Sequence, residues 1–208
     1  MATGIQDTLF DPIGSPTTLG SFENRRRIRL DHDAWVDLCP GWLTGSADMF
    51  DRLLTTVTWR REQRQMYDRI VDVPRLVAHY TERDRLPDPS MAAIRADLSA
   101  HYADELPEGF ATAGLCHYRD GDDSVAWHGD RIGRGRYTDT LVAIVSLGSP
   151  RALLLRPRGG GRSHKFTLGT GDVLVMGGSC QRTWDHCVPK QRGAGPRISI
   201  QFRPAGVR

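Results

Sequence analysis

The second half of the chain alternates short apolar runs with turns that contain glycine. From about residue 111 these runs are GLCHYRD, SVAWHGD, DTLVAIVSLG, RALLLRPR, SHKFTLGTG, DVLVMGG, TWDHCVP and RISIQFR. Short strands that are separated by turns at this density are typical of antiparallel sandwiches and jelly rolls, not of parallel sheets. We therefore expect a β-rich core over residues 111–208.

The first half of the chain has a different pattern. The stretches SADMFDRLLTTVTW and SMAAIRADLSAHYADEL have apolar residues at helical spacing, and Ser46 and Ser90 are suitable N-caps for the two helices. Between them, IVDVPRLVAHY is rich in β-branched residues and predicts extended chain, with Pro74 at an edge or a kink. Residues 26–110 thus add helices to the strands, and the fold class is α+β.

Composition limits the possible classes of protein. With 208 residues, 39% of them hydrophobic, the chain can bury the core of one domain. Residues 1–25 have few apolar positions and predict a loosely held N-terminal extension. No apolar run approaches the roughly 20 residues of a membrane span, and the N-terminus lacks a signal-peptide pattern. We expect a cytoplasmic protein with no membrane contact and with its four cysteines reduced.

The run SVAWHGD ends with a histidine and a carboxylate two residues apart, His128 and Asp130. In a strand, residues i and i+2 face the same way with Cα atoms about 6.5 Å apart, so both side chains can approach one ion. Taken alone, the pair is more often explained by a hydrogen-bonded loop, because a histidine and an aspartate two residues apart occur by chance in many proteins. His186 in TWDHCVPK follows a strand and is a candidate third ligand. Two histidines and one carboxylate form the facial triad that holds Fe(II) and leaves positions open.

The stretch RISIQFR has complete alternation of apolar and polar residues. A polar face of this kind commonly faces solvent. Alternatively, Arg197 and Arg203, roughly 20 Å apart along the strand, could reach inward and hold opposite ends of a short dicarboxylate. The planar guanidinium group is suited to carboxylates in this way.

Taken together, HGD at 128–130, His186 and RISIQFR resemble the HxD, distal His and RxxxxxR pattern of the AlkB-like Fe(II)/2-oxoglutarate-dependent dioxygenases, in the same order. The phrases LCHYRDGDDSVAWHGDRIG, GDVLVMGGSCQRTWDHCVPK and GPRISIQFR are similar to the actinobacterial branch of that family. The resemblance is specific over about residues 111–205. It is thinner over 30–110, where VDVPRLVAHY still matches.

This resemblance implies a double-stranded β-helix (jelly-roll) core over residues 111–208, with flanking helices outside it. A nucleotide-recognition lid would lie within residues 26–110. His128, Asp130 and His186 would bind Fe(II), and dioxygen and 2-oxoglutarate would be co-substrates. The implied activity is oxidative demethylation of N-alkylated bases, of the 1-methyladenine and 3-methylcytosine type, in DNA that is preferentially single-stranded, with release of formaldehyde and succinate.

The resemblance also implies the residues that bind the co-substrate. Arg203 would meet the 2-oxoglutarate carboxylate next to the metal, and Arg197 would hold the far carboxylate. Tyr118 matches a tyrosine that helps to bind 2-oxoglutarate. Many family members carry asparagine where this chain has Cys116, so that contact is either weakened or supplied by Ser199.

Contacts to nucleic acid are predicted at five positions. Arg131 follows the second iron ligand and matches a position that is basic in related enzymes. Arg75 and Tyr80 in PRLVAHY are further candidates, with a purely structural strand as the alternative. Trp59 and Tyr67 could stack on a base, although an aromatic residue in a small domain is more often part of the core.

Other functions remain open from the sequence. The same core could act on RNA, on a protein or on a small metabolite, because the lid and not the core decides the substrate. A non-catalytic nucleic-acid-binding protein is a further alternative, but an intact triad with both arginines favours an enzyme. We expect a monomer that needs no obligate protein partner.

Overall fold

The computed structural model describes residues 16–66, 69–130 and 133–207. The helices are α1 (Ser46–Thr56), α2 (Pro89–His101) and the single turn α3 (Cys180–Thr183), and Arg134–Arg136 form a 3-10 turn. The strands are β1 (Thr18–Leu19), β2 (Arg26–Arg29), β3 (Ala34–Cys39), β4 (Leu43–Thr44), β5 (Arg60–Met66), β6 (Arg69–Tyr80), β7 (Thr112–Tyr118), β8 (Val125–His128), β9 (Val142–Gly148), β10 (Arg151–Pro157), β11 (His164–Leu168), β12 (Val173–Gly178), β13 (Trp184–Val188) and β14 (Arg197–Arg203).

Two antiparallel sheets form the body of the fold. The large sheet has eight strands in the order β2-β3-β12-β9-β14-β7-β6-β5, and the small sheet has four in the order β11-β10-β13-β8. A two-stranded pair, β1 with β4, lies outside them. The large sheet takes strands from both 26–110 and 111–208. The antiparallel jelly roll with few helices that the sequence predicted is confirmed.

Hydrophobic residues are buried in two layers. One layer lies between the large sheet and the helices, with α1 and α2 contributing Met49, Leu53, Met91, Ile94 and Leu98. The second layer lies between the two sheets and includes Val142, Ile144, Leu155, Phe166 and Met176. Strands β9 and β12 are covered on both faces, which explains why they read as nearly continuous apolar runs.

The predicted helices are confirmed, but their caps are not. Gly45 precedes α1 with φ of 64°, a left-handed conformation that glycine adopts without strain, while the Ser46 hydroxyl bonds to Thr170 instead. Asp88 caps α2 by accepting from the Ser90 N–H at 2.8 Å. Each true N-cap therefore lies one or two residues before the predicted serine.

Pro74 lies within β6, as the pattern predicted, and at an irregularity. Strand β5 changes register between Arg61 and Gln63, which pair with Leu76 and Asp72 respectively. Pairing of β6 with β7 starts only at Leu76. A proline that cannot donate to the ladder is thus tolerated where pairing is already interrupted.

Two further expectations concern the described residues. All four cysteines are free. Within the described ranges, no helix has the length and apolar character that a membrane crossing requires.

Candidate metal and co-substrate site

The three predicted iron ligands meet at the edge of the small sheet. Strands β8 and β13 are neighbours, and His128 lies directly opposite His186 with ring centroids 4.3 Å apart. Asp130 follows β8 by two residues. One ligand atom from each of the three residues lies within 4.8 Å of the others. The His128 Nδ1–H donates to the Ala126 carbonyl at 2.9 Å, which leaves Nε2 as the free ligand atom.

Burial and charge set the protonation of these ligands. Burial lowers the pKa of His186 to about 3, so the imidazole is neutral at pH 7. Burial opposes the charge on Asp130, but Arg203 and the two histidines outweigh it and lower the pKa of Asp130 to about 2. A neutral imidazole and an ionised carboxylate are the forms that bind a metal ion.

Arg203 ties the carboxylate ligand to the large sheet. Its Nε and Nη2 lie 2.9 Å and 2.7 Å from Asp130 Oδ2. The other oxygen, Oδ1, faces His128 Nε2 at 3.9 Å. The pairing leaves Oδ1 for a metal and holds the carboxylate in one orientation.

The polar face of β14 points into the space between the sheets, not to solvent. Arg197 is only 1% exposed, and its Nε donates to the Ser146 hydroxyl at 2.9 Å. Its buried Nη1 has no hydrogen-bond partner among the described residues. Burial lowers the pKa of Arg197, and the nearby Tyr118 ring lies 5.3 Å from its guanidinium carbon. A buried cation with a free donor is strongly stabilised by an anion.

These residues fit the groups that the sequence implied. Two nitrogen ligands and one carboxylate suit Fe(II) with positions to spare. The free donor of Arg197 suits the far carboxylate of a short dicarboxylate, and Arg203 lies beside the metal ligand Asp130, where the near carboxylate would bind.

Cys116 and Ser199 are cross-strand neighbours between the two ends of this site. The Cys116 thiol accepts from Arg75 Nε at 3.3 Å and lies 3.7 Å from the Gln201 side-chain oxygen. The Gln201 amide donates to the Ser199 hydroxyl at 2.6 Å. The polar floor of the site is therefore a connected set of side chains.

Two buried residues of this site were missed in the sequence. Gln201 was visible on the polar face of RISIQFR but was not assigned a role. Arg151, 1% exposed, donates to the main-chain oxygens of Asp120, Asp123 and Pro189, and its guanidinium carbon also lies 5.3 Å from the Tyr118 ring. The arginine starts a mostly apolar strand, RALLLRP, and nothing in that pattern indicates that its side chain is buried.

The predicted nucleic-acid contacts do not all lie on the same side of the large sheet. Arg75 faces Cys116 and the site. Tyr80, five residues along the same strand, faces the opposite side and packs against the core beneath the helices, as does Trp59. The structure does not bring Tyr80 or Trp59 to the triad. Arg131 and Tyr67 lie outside the described residues.

Comparison with known proteins gives one family. Residues 94–203 match the family model described as the 2OG-Fe(II) oxygenase superfamily. The bovine protein alpha-ketoglutarate-dependent dioxygenase alkB homolog 3 is 30% identical over 191 residues, covering 81% of this chain and 65% of that protein. The Arabidopsis thaliana protein DNA oxidative demethylase ALKBH2 is 32% identical over 114 residues, covering 43% of this chain and 36% of that protein.

A solved structure shares the fold. The structure of OsALKBH1 superposes with a TM-score of 0.61 at 15% identity, covering 86% of this chain and 99% of that chain. The chain spans less than two thirds of the length of the curated relatives above.

Proposed function

Because the chain belongs to the 2OG-Fe(II) oxygenase superfamily, as an AlkB-like dioxygenase, we propose that it oxidatively demethylates N-alkylated bases in DNA. The proposed lesions are of the 1-methyladenine and 3-methylcytosine type, and the preferred substrate is single-stranded. The products would be the repaired base, formaldehyde and succinate. The proposed enzyme is a cytoplasmic monomer.

The observation that carries the proposal is the position of Arg197 relative to the triad. His128, Asp130 and His186 offer three ligand atoms in one place. On the neighbouring sheet, a fully buried guanidinium group retains an unpartnered N–H. Arg151 also has a buried Nε without a partner among the described residues, but both of its Nη atoms donate to main-chain oxygens. The tip of Arg197 has an Nη1 without such a partner in the described part of the chain, which supports a site for an anionic co-substrate.

Each side chain then has a separate task. Bound Fe(II) would supply the activation of dioxygen that couples decarboxylation of 2-oxoglutarate to oxidation of the methyl group. His128, Asp130 and His186 hold the metal on one side, which leaves the opposite side for reactants. Arg203 keeps the Asp130 carboxylate ionised and oriented. Arg197 fixes the far end of the co-substrate, and the apolar layer between the sheets excludes water.

The choice of substrate rests on the relatives and on chemistry. Of the two relatives, one is named as a DNA oxidative demethylase. A base in a duplex must be flipped out before its methyl group can reach a buried metal, and the cost is smallest when the base is already unpaired. Arg131, Arg75 and the other predicted contacts would hold the phosphates and flanking bases.

The decisive experiment measures two products from one reaction. The protein is incubated with Fe(II), 2-oxoglutarate and a panel of DNA and RNA oligonucleotides carrying 1-methyladenine or 3-methylcytosine. Mass spectrometry follows the loss of the methyl group, and chromatography follows succinate. We expect equimolar methyl loss and succinate, and faster turnover with single-stranded DNA than with duplex DNA or RNA.

Matched histidine variants test the site itself. His128→Ala should abolish turnover and weaken Fe(II) binding, whereas His164→Ala, which changes an exposed histidine of the same sheet, should leave both intact. Succinate release without methyl loss from any oligonucleotide would instead favour a protein or metabolite as substrate. Equal Fe(II) binding by His128→Ala and wild type would overturn the triad.

A further inference from the structure

Among the residues whose side-chain burial the structure describes, Tyr137 is the one large apolar side chain that is exposed, at 75%. A single exposed aromatic residue is common on protein surfaces and by itself requires no explanation. Its position is what distinguishes Tyr137. It lies on the loop that leaves the iron-ligand segment, seven residues after Asp130 and directly after the 3-10 turn Arg134–Arg136.

That loop packs directly against the metal ligand. Gly135 is buried, and a Cβ added there would lie 2.9 Å from the main-chain oxygen of Asp130. Tyr137 is two residues farther along, so its Cα lies within about 7.6 Å of the Gly135 Cα. The main chain at Tyr137 therefore lies close to the main chain of the metal ligand Asp130.

The loop is also fixed at both ends. Gly133, with φ of 81°, forms an antiparallel bridge with Val207 near the end of the described chain. Asp139 accepts from Arg182 of α3, with Nε at 2.9 Å. A loop held in this way presents Tyr137 without the conformational cost of ordering it when a ligand binds.

The charge beside the ring fits a nucleotide. The Arg136 guanidinium carbon lies 5.5 Å from the Tyr137 ring centroid and is exposed. In sequence, the segment 131–136 contains three arginines in RIGRGR. An aromatic ring beside a cation can stack on a base while the cation contacts the phosphate, and this combination is used to bind single strands without sequence preference.

We propose that Tyr137 is a stacking platform for the base that flanks the methylated base in a single-stranded substrate, with Arg136 on the adjoining phosphate. The inference rests on the proposed function and extends it to a second subsite. An exposed ring cannot enclose the flipped base, which must enter the site between the sheets, so the neighbouring base is the one that it would contact.

The test combines protein variants with altered substrates. Binding of a fluorescently labelled pentanucleotide with a central 3-methylcytosine is measured by anisotropy, with Mn(II) and 2-oxoglutarate bound so that no turnover occurs. We expect Tyr137→Ala and Tyr137→Leu to raise Kd roughly 5- to 100-fold, because base stacking on the ring is lost. Tyr137→Phe should bind like wild type because the hydroxyl is not required.

A second substrate separates stacking from a general loss of affinity. When the two positions that flank the lesion are abasic, wild type and Tyr137→Ala should bind with equal Kd. Arg136→Gln should reduce the slope of log Kd against log salt by about 0.7, as expected for one phosphate contact to a single strand. Unchanged unfolding temperatures would show that the exposed substitutions leave the fold intact.

The outcomes are distinguishable. If wild type demethylates the pentanucleotide but Tyr137→Ala binds it as tightly, the stacking platform is refuted and the proposed function stands. If Tyr137→Ala weakens binding of the abasic substrate as much as binding of the intact substrate, the ring does not act by stacking and the inference fails. If wild type neither binds nor demethylates any oligonucleotide, both proposals fail together.

Discussion

Arg197 and Arg151 are two buried arginines whose substitution should have opposite consequences. Both guanidinium groups lie 5.3 Å from the Tyr118 ring and both side chains are 1% exposed. Arg151 donates from both of its Nη atoms to three main-chain oxygens, and only its buried Nε lacks a partner among the described residues. Arg197 bonds the Ser146 hydroxyl through Nε, and its buried Nη1, at the tip of the side chain, has no partner within the described ranges. We predict that Arg197→Met removes co-substrate binding and that Arg151→Met removes stability.

The expected change in unfolding temperature follows from the stabilisation that a bound ligand gives to the folded state. At a 2-oxoglutarate concentration of a hundred times Kd, binding adds about 2.7 kcal/mol to the free energy of unfolding. For a domain of this size, that is a rise of about 5–10 °C in the unfolding temperature. The Nη1 of Arg197 carries two N–H groups, and each hydrogen bond to a carboxylate contributes about 1.5–3 kcal/mol. Losing both in Arg197→Met should raise Kd at least about a hundredfold. At the same concentration the stabilisation then falls to about 0.4 kcal/mol, or about 1 °C.

The metal-loaded protein without co-substrate gives the contrasting result. Arg197→Met removes a desolvated charge, so its unfolding temperature should stay within about 3 °C of wild type or rise above it. Arg151→Met leaves three main-chain oxygens without their donor and should lower the unfolding temperature by about 6–12 °C, at about 1 kcal/mol for each lost bond. Adding 2-oxoglutarate should still raise the unfolding temperature of Arg151→Met, as for wild type.

Differential scanning fluorimetry with Mn(II) in place of Fe(II) measures these shifts, and isothermal titration gives Kd directly. The reasoning is refuted if Arg197→Met keeps a rise of 5–10 °C. It is equally refuted if Arg151→Met loses the rise while its fold remains intact, because the far carboxylate would then be held by the wrong arginine.

Three further predictions concern the same site. Gly135→Ala should weaken Mn(II) binding about tenfold, measured by electron paramagnetic resonance, because the added Cβ would displace the Asp130 main chain; unchanged affinity would contradict this. Cys116→Asn should lower the KM for 2-oxoglutarate because an amide is a stronger donor than a thiol, and Ser199→Ala should raise it about fivefold; opposite changes in steady-state assays would contradict the arrangement of the floor. For the metal-free protein, the free energy of unfolding should fall by up to about 1.4 kcal/mol per pH unit as the pH falls from about 6.5 towards 3. Burial lowers the pKa of His186 in the folded state only. In this pH range the unfolded chain therefore binds a proton on His186 that the folded chain does not bind. In urea titrations at pH 7, 6 and 5, His186→Phe should make the free energy of unfolding less dependent on pH. The same pH dependence in the variant and in wild type would contradict this prediction.

The alternation of RISIQFR predicted which residues of β14 share a face but not what covers each face. The structure shows that both faces are buried, because Ile198, Ile200 and Phe202 pack beneath the helices while the polar residues line the space between the sheets. Alternation distinguishes two faces by polarity. It cannot tell solvent from a polar interior, and only the resemblance to a family favoured the interior.

The sequence also predicted one part of the triad from a local pattern but not the other. The spacing of His128 and Asp130 is local and was visible in the sequence. The position of His186 depends on the pairing of β8 with β13, which are separated by four other strands in sequence, and no local pattern encodes that pairing. By contrast, the opposite placement of Arg75 and Tyr80 follows from their odd separation on one strand and could have been predicted.

The order of strands in the large sheet affects how the site assembles. Strand β14 is made after β7 and β9, yet it lies between them. It carries the two arginines that we propose bind the co-substrate, and one of them, Arg203, pairs with Asp130. A growing chain that has already formed the histidine pair therefore still lacks every co-substrate contact from β14, until that strand inserts and closes the sheet. Competence for the co-substrate is thus tied to completion of the fold, because a partly folded chain lacks both arginines of β14.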